Sequence, residues 1–157
     1  MSSRAEQSPG TSQPYSGEDT SSIGSFVLML HSHLPWYRKS GMWPFGEENL
    51  YECIAETYIP LLNVIADLYE EGVLAKLTIG FTPILQEQLA DEYLKLGFER
   101  YIDSRIEAAM SDSARFAASA ESPNLSLSML SRSYLSCFKQ IKADFRNRWN
   151  RDILGGY

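Results

Sequence analysis

The chain has 157 residues and a mass of 17.8 kDa, which suits one ordinary domain. Fourteen Lys and Arg against twenty Asp and Glu leave a net charge of −6, which argues against a nucleic-acid binder and against docking on an anionic membrane. The longest apolar run, Phe26 to Leu30, has five residues against about 20 for a spanning helix, and the two cysteines, Cys53 and Cys137, make neither a disulfide scaffold nor a zinc spacing.

Residues 1–24 hold seven Ser, three Gly, two Thr and two Pro, fourteen of twenty-four positions. Such a segment buries too little surface to offset its ordering entropy, so a disordered Ser/Gly-rich tail is expected there. It lacks the apolar centre of a secretory signal, and Arg4 is its single base among three acids, which argues against a transit peptide. With two cysteines and no address, the cytoplasm is the expected compartment.

Residues 25–157 form the expected folded part. Ser25 to Leu30 (SFVLML) is short, apolar and bounded by Gly24, and is predicted to be a strand buried on both faces, as in a parallel sheet. Residues 31–46, with two Pro and two Gly, read as a long loop. Glu47 to Glu71 is predicted helical from Leu50, Ile54, Tyr58, Leu61, Ile65 and Leu68, spaced by threes and fours. Glu47 and Glu48 suit its positive end, Gly72 its stop, and Pro60 a kink.

Lys76 to Phe81 is the second predicted strand. Thr82-Pro83 reads as an N-cap followed by proline at the first helical position, opening a short helix to about Ala90. A further helix is expected from Asp91 to Ala120, with Gly97 as a possible break. Ser122-Pro123 opens the last long helix, whose stripe is Leu127, Leu130, Tyr134, Phe138, Ile141, Phe145 and Trp149. Arg151 to Tyr157 begins another helix. Both cysteines fall in apolar stripes and are expected in the core. Lys139, Lys142, Arg146, Arg148 and Arg151, alternating with Asp144 and Asp152, read as a solvated face.

Strand, helix, strand, helix implies a parallel sheet covered on both faces, and two strands are too few for one. The expectation is an α/β chain, helix-rich as given, forming the front portion of a larger α/β or barrel domain. The alternative is a compact helical domain with one strand pair.

His31 and His33 are the only histidines. At i and i+2 past the first strand they point to one side, at the carboxyl end where barrels and open α/β sheets place their active sites. Two imidazoles there can bind metal, pass protons or hydrogen-bond a substrate; two histidines in an ordinary loop is the competing reading. Within fifteen residues come Pro35, Trp36, Tyr37, Arg38, Trp43, Pro44 and Phe45. Aromatic faces stack on pyranose rings while imidazole and guanidinium bond hydroxyls, so the set suits a sugar site. Equally, Trp36, Trp43 and Phe45 can plug a barrel mouth or cover the next helix. A catalytic zinc needs three protein ligands, and only His31 and His33 are suited, Glu47 and Glu48 being better explained as first-turn acids.

The run FVLMLHSHLPWYRKSGMWPFGEENLYECIAETYIPLL closely resembles the start of glycoside hydrolase family 57, in its α-1,4-glucan branching form. It contains an HxHxP stretch (His31 to Pro35), a WPFGEE block (Trp43 to Glu48) and an ETYIPLL block (Glu56 to Leu62). TIGFTPILQEQLADEY (Thr78 to Tyr93) and the terminal RDILGGY extend the resemblance over residues 25–157. HxHxP alone is a weak signal; the blocks joined in order are a specific one.

The resemblance implies the N-terminal portion of a distorted (β/α)7 barrel and a retaining transglycosylation on α-glucans by a glutamate nucleophile and an aspartate acid/base. Both carboxylates are expected beyond residue 157, so no residue here takes a catalytic role and the 157 residues alone are expected to be inactive. The resemblance assigns sugar binding to His31, support to His33 and part of an aromatic glucan surface to Trp43, with no metal and no cofactor. It implies an α-glucan partner, amylose or glycogen-like, and leaves oligomeric state open. The neighbouring activities are 4-α-glucanotransferase and α-amylase; a metal-dependent hydrolase or deacetylase using the HxH pair, and a non-catalytic glucan-binding fragment, are the readings outside them.

Overall fold

β1 (Leu28–Ser32) runs parallel beside β2 (Leu77–Phe81), with Leu28 opposite Leu77 and Ser32 opposite Phe81. The computed structural model describes residues 24–74, 76–118 and 122–157; the expected tail lies outside them except for Gly24. The first strand begins three residues later than the predicted start at Ser25 and takes in His31 and Ser32. It is not buried on both faces: Phe26, Val27 and Met29 are largely exposed. Among the described residues the sheet has two strands, so nothing pairs beyond β1 or β2, and one face has a helical cover.

Alternation puts Leu77, Ile79 and Phe81 on the covered face, where they line a cavity of about 370 Å³ with Ile65 and Tyr157. Phe81 makes ring contacts there with Tyr58 and Tyr157, at centroid distances of 5.8 and 5.1 Å. The other face carries Met29, His31, Thr78 and Gly80.

The helix after the loop is interrupted one turn before Pro60. It runs as α1 (Glu47–Cys53), a π turn (Ile54–Tyr58) and α2 (Ile59–Glu70). Proline lacks an N–H and its ring crowds the carbonyl four residues back, which the wider turn relieves. At the C-terminus Gly72 has φ +81, Gly72 N donates to Tyr69 O and Val73 N to Leu68 O, a Schellman stop that glycine permits without strain.

Thr82 is the N-cap of α3 (Pro83–Ala90), as its sequence suggests, but its hydroxyl makes no capping bond. Asp91 does cap α4 (Glu92–Ala117), accepting from Leu94 N at 3.1 Å. Gly97 does not break α4. It is the place where Tyr51 lies against the helix, and any Cβ there would run into the Tyr51 ring and hydroxyl.

α5 (Ser122–Ala143) packs along α4 and passes into a π turn (Asp144–Arg148) and α6 (Ile153–Gly156). Ile141 and Phe145 join the core with Leu50, Ile59, Leu94, Phe98 and Ile102. The stripe is only half buried, because Leu127, Leu130 and Tyr134 lie beyond the core, where α4 is the neighbour, and stay exposed. Cys137 is exposed on the same stretch, contrary to expectation, while Cys53 is half-buried beside the core.

The basic stretch is also more than a solvated face. Lys142 pairs with Asp103, Arg146 with Glu99 at 2.6 Å, Arg148 with Asp67 at 2.5 Å and Arg151 with Glu92 at 3.1 Å, tying the chain end to α2 and α4. Asp144 is buried and accepts from Asn63 and Gln140, each at 2.8 Å.

Candidate functional site

His31 lies in β1, opposite Gly80, and His33 follows the strand end on the same side. Their rings are nearly parallel, 8° apart with centroids at 6.5 Å, and both are exposed. A Cβ on Gly80 would sit 3.3 Å from His31 Nδ1, so glycine in β2 leaves the imidazole its place over the sheet. Thr82 N donates to Ser32 O at 3.2 Å, extending the ladder past the strands, and its buried Oγ1 has no partner.

From there the chain enters the aromatic loop, and buried side chains of the helices hold it. Gln88, 1% exposed on α3, accepts from Tyr37 N at 2.7 Å and donates to Pro35 O at 3.0 Å. Arg38 pairs with Asp91 at 2.7 Å and lies over the Tyr93 ring at 5.3 Å. Burial would raise the Asp91 carboxyl, but bonds from Leu94 N and Arg38 outweigh it and hold the group below the usual carboxylate range.

Glu47 is more than an acid facing a helix dipole. It is 5% exposed and accepts from Lys39 N at 2.7 Å, Tyr51 at 3.0 Å and Tyr93 at 3.4 Å. Burial, then the neighbouring Glu47 charge, pushes the Tyr51 phenol well above its ordinary value, so it stays a donor. Glu48 pairs with Arg105. Glu47 N and Glu48 N donate back to Gly41 O and Met42 O, closing the 41–46 turn.

That turn presents its rings outward. Trp43 is 78% and Phe45 83% exposed, and the Trp43–Pro44 peptide is cis. Trp36, at 54%, is also out, so among the described residues none of the three rings is buried against the following helix. The structure brings His31 and His33 together; Trp43 comes from a separate segment, the turn tied to α1. Among the described residues no group of three or more His, Cys, Asp or Glu side chains is placed to hold a metal ion. Paired imidazoles and outward indole faces suit the binding of a polyhydroxylated ring. Gln88 is the site residue that sequence reasoning missed; its one signal is a polar residue within the apolar face Leu85, Gln88, Leu89 of α3.

No family model matches the chain. It is similar to the 1,4-alpha-glucan branching enzyme of Thermococcus kodakarensis, 47% identical over 89 residues, which cover 57% of this chain and 13% of that protein. Its fold matches the crystal structure of the GH57-type branching enzyme of the archaeon Pyrococcus horikoshii with a TM-score of 0.75 at 39% identity, over 83% of this chain and 23% of that one. The α-amylase AmyC of Thermotoga maritima matches with a TM-score of 0.69 at 29% identity, over 83% of this chain and 24% of that one. The chain thus spans between about an eighth and a quarter of the length of the proteins it matches.

In sequence and fold, then, this helix-rich α/β chain is similar to part of a GH57-type glycoside hydrolase. The identity is 47% to the 1,4-alpha-glucan branching enzyme and 39% to the GH57-type branching enzyme, against 29% to the α-amylase.

Proposed function

We propose that residues 25–157 supply the first part of a distorted (β/α)7 barrel that branches α-glucans. In this reading His31 hydrogen-bonds the sugar beside the scissile bond, His33 supports it, and Trp43 contributes a glucan-stacking face. A glutamate outside the 157 residues attacks the anomeric carbon while an aspartate protonates the departing glycosidic oxygen. The aspartate then takes the proton of a 6-hydroxyl on another glucan segment, which displaces the enzyme carboxylate. One α-1,4 bond is broken and one α-1,6 bond formed. The chemistry needs neither metal nor cofactor, and the two unpaired thiols, Cys53 and Cys137, suit the cytoplasm.

The observation that carries this reading is the 47% identity to a named branching enzyme, since the fold is shared with an α-amylase and does not choose the acceptor. The parallel imidazoles at the carboxyl end of a parallel strand support the placement of the sugar. The test replaces the matching segment of the Thermococcus kodakarensis enzyme with residues 25–157 of this chain. Incubated with amylose, the chimera is expected to introduce α-1,6 linkages, read by proton NMR. A folded chimera that only hydrolyses or only lengthens amylose would refute the branching assignment.

A further inference from the structure

Trp36 stands out in the loop after His33 because its neighbours are fastened and it is not. Leu34 and Tyr37 pack against the core, while Trp36 is half exposed. The backbone on both sides of it is held by one side chain: Gln88 donates to Pro35 O and accepts from Tyr37 N. A buried primary amide is costly unless its groups are bonded, and here both bonds go to a loop that leaves a large indole in solvent. The Tyr37 carbonyl accepts from Ser40 N at 2.9 Å, and the Tyr37 hydroxyl accepts from Asn49 at 3.4 Å, so the segment leaving Trp36 is fixed as well. A ring held out on a rigid backbone loses little conformational freedom when a ligand stacks on it.

We infer that Gln88 is a positioning residue whose clamp holds Trp36 as a sugar-stacking face on the loop that follows the histidine pair. This rests on the glucan reading of the site and adds a residue and a supporting contact to it.

The test titrates maltoheptaose into the full 157-residue chain, followed by calorimetry, with amide exchange recorded on the free protein. Trp36→Ala is expected to weaken binding about five- to tenfold, and Gln88→Leu by a similar factor. The double variant is expected to bind no more weakly than Trp36→Ala alone, and the Tyr37 amide to lose protection in Gln88→Leu but not in Trp36→Ala. Gln88→Glu, which keeps the acceptor for Tyr37 N and loses the donor to Pro35 O, serves if the leucine variant does not fold; if neither folds, Gln88 is a core residue and the inference fails. It also fails if Gln88→Leu weakens binding equally in the Trp36→Ala background, since the amide then acts through something other than the indole. Unchanged affinity in Trp36→Ala with weakened affinity in His31→Ala overturns this inference and leaves the glucan reading standing. No binding by the wild-type chain overturns this inference, and the glucan reading is then decided by the chimera.

Discussion

His31 and Gly80 face each other across the parallel strands, the imidazole occupying space that any larger residue in β2 would contest. At 3.3 Å a new Cβ forces a shift of a few tenths of an ångström, and the imidazole is the movable partner. Gly80→Ala is therefore expected to leave stability within about 1 kcal/mol, because reduced unfolded-state entropy offsets the crowding. It should nonetheless move the His31 ring resonances in a nitrogen–proton NMR spectrum and weaken maltoheptaose binding. Unmoved His31 resonances would show that Gly80 does not set the ring.

Gly97 tests packing without touching the site. Alanine has the better helix propensity by about 1 kcal/mol, yet here its methyl would meet the Tyr51 ring. Overpacking should win, and Gly97→Ala should lose about 1–3 kcal/mol in urea unfolding. A stabilised variant would mean that Tyr51 has room to retreat.

Asp144 joins three parts of the chain. It accepts from Asn63 on α2 and Gln140 on α5, and Asn63 in turn accepts from Trp149 Nε1 at 2.8 Å. Asp144→Ala takes the acceptor from the half-buried Asn63 amide and from the exposed Gln140 amide and empties a buried position, and should cost about 1–3 kcal/mol, whereas Asp144→Asn, which keeps an acceptor, should cost less. Equal unfolding midpoints for the two would argue against the network.

Alkaline stability follows from buried phenols. Burial raises Tyr101 and Tyr157 from 10.0 to about 12, and the Tyr157 hydroxyl donates to Tyr58 O at 2.7 Å. A raised folded-state value means that the native state keeps its proton where the unfolded chain has lost it, so unfolding is favoured as pH rises. The phenols' contribution should be fully present below pH 10 and lost progressively between pH 10 and 12, read from denaturant midpoints. Tyr101→Phe should flatten that decline; an unaltered slope would dismiss the phenol as its source.

The elements were legible where local chemistry and packing agree. Gly72 stops its helix, Pro83 opens one and Pro60 marks an irregular turn. The parallel pairing also follows from the βα order. The errors arise where a pattern does not say what lies opposite it. The stripe of α5 is periodic throughout, but periodicity cannot tell Ile141, which reaches the core, from Leu130, which does not. Asp144 reads as part of a solvated face because carboxylates usually are solvated, and Glu47 as a first-turn acid because the helix end accounts for it; Asn63 and Tyr93, which donate to these buried carboxylates, lie 81 and 46 residues away. At the site, the histidine pair was legible from its spacing, whereas Gln88 was hidden because its partners are backbone atoms 51 and 53 residues distant.

With two strands among the described residues, each strand pairs on one side only, and the apolar residues Phe26 to Met29 lead into one of these open margins. Unpaired ladder groups next to exposed apolar side chains recruit further strands, from the same chain or from copies of it. Concentration therefore bears on how this chain behaves by itself: dilute samples favour the monomer, and crowded ones favour growth of the sheet from its flanks.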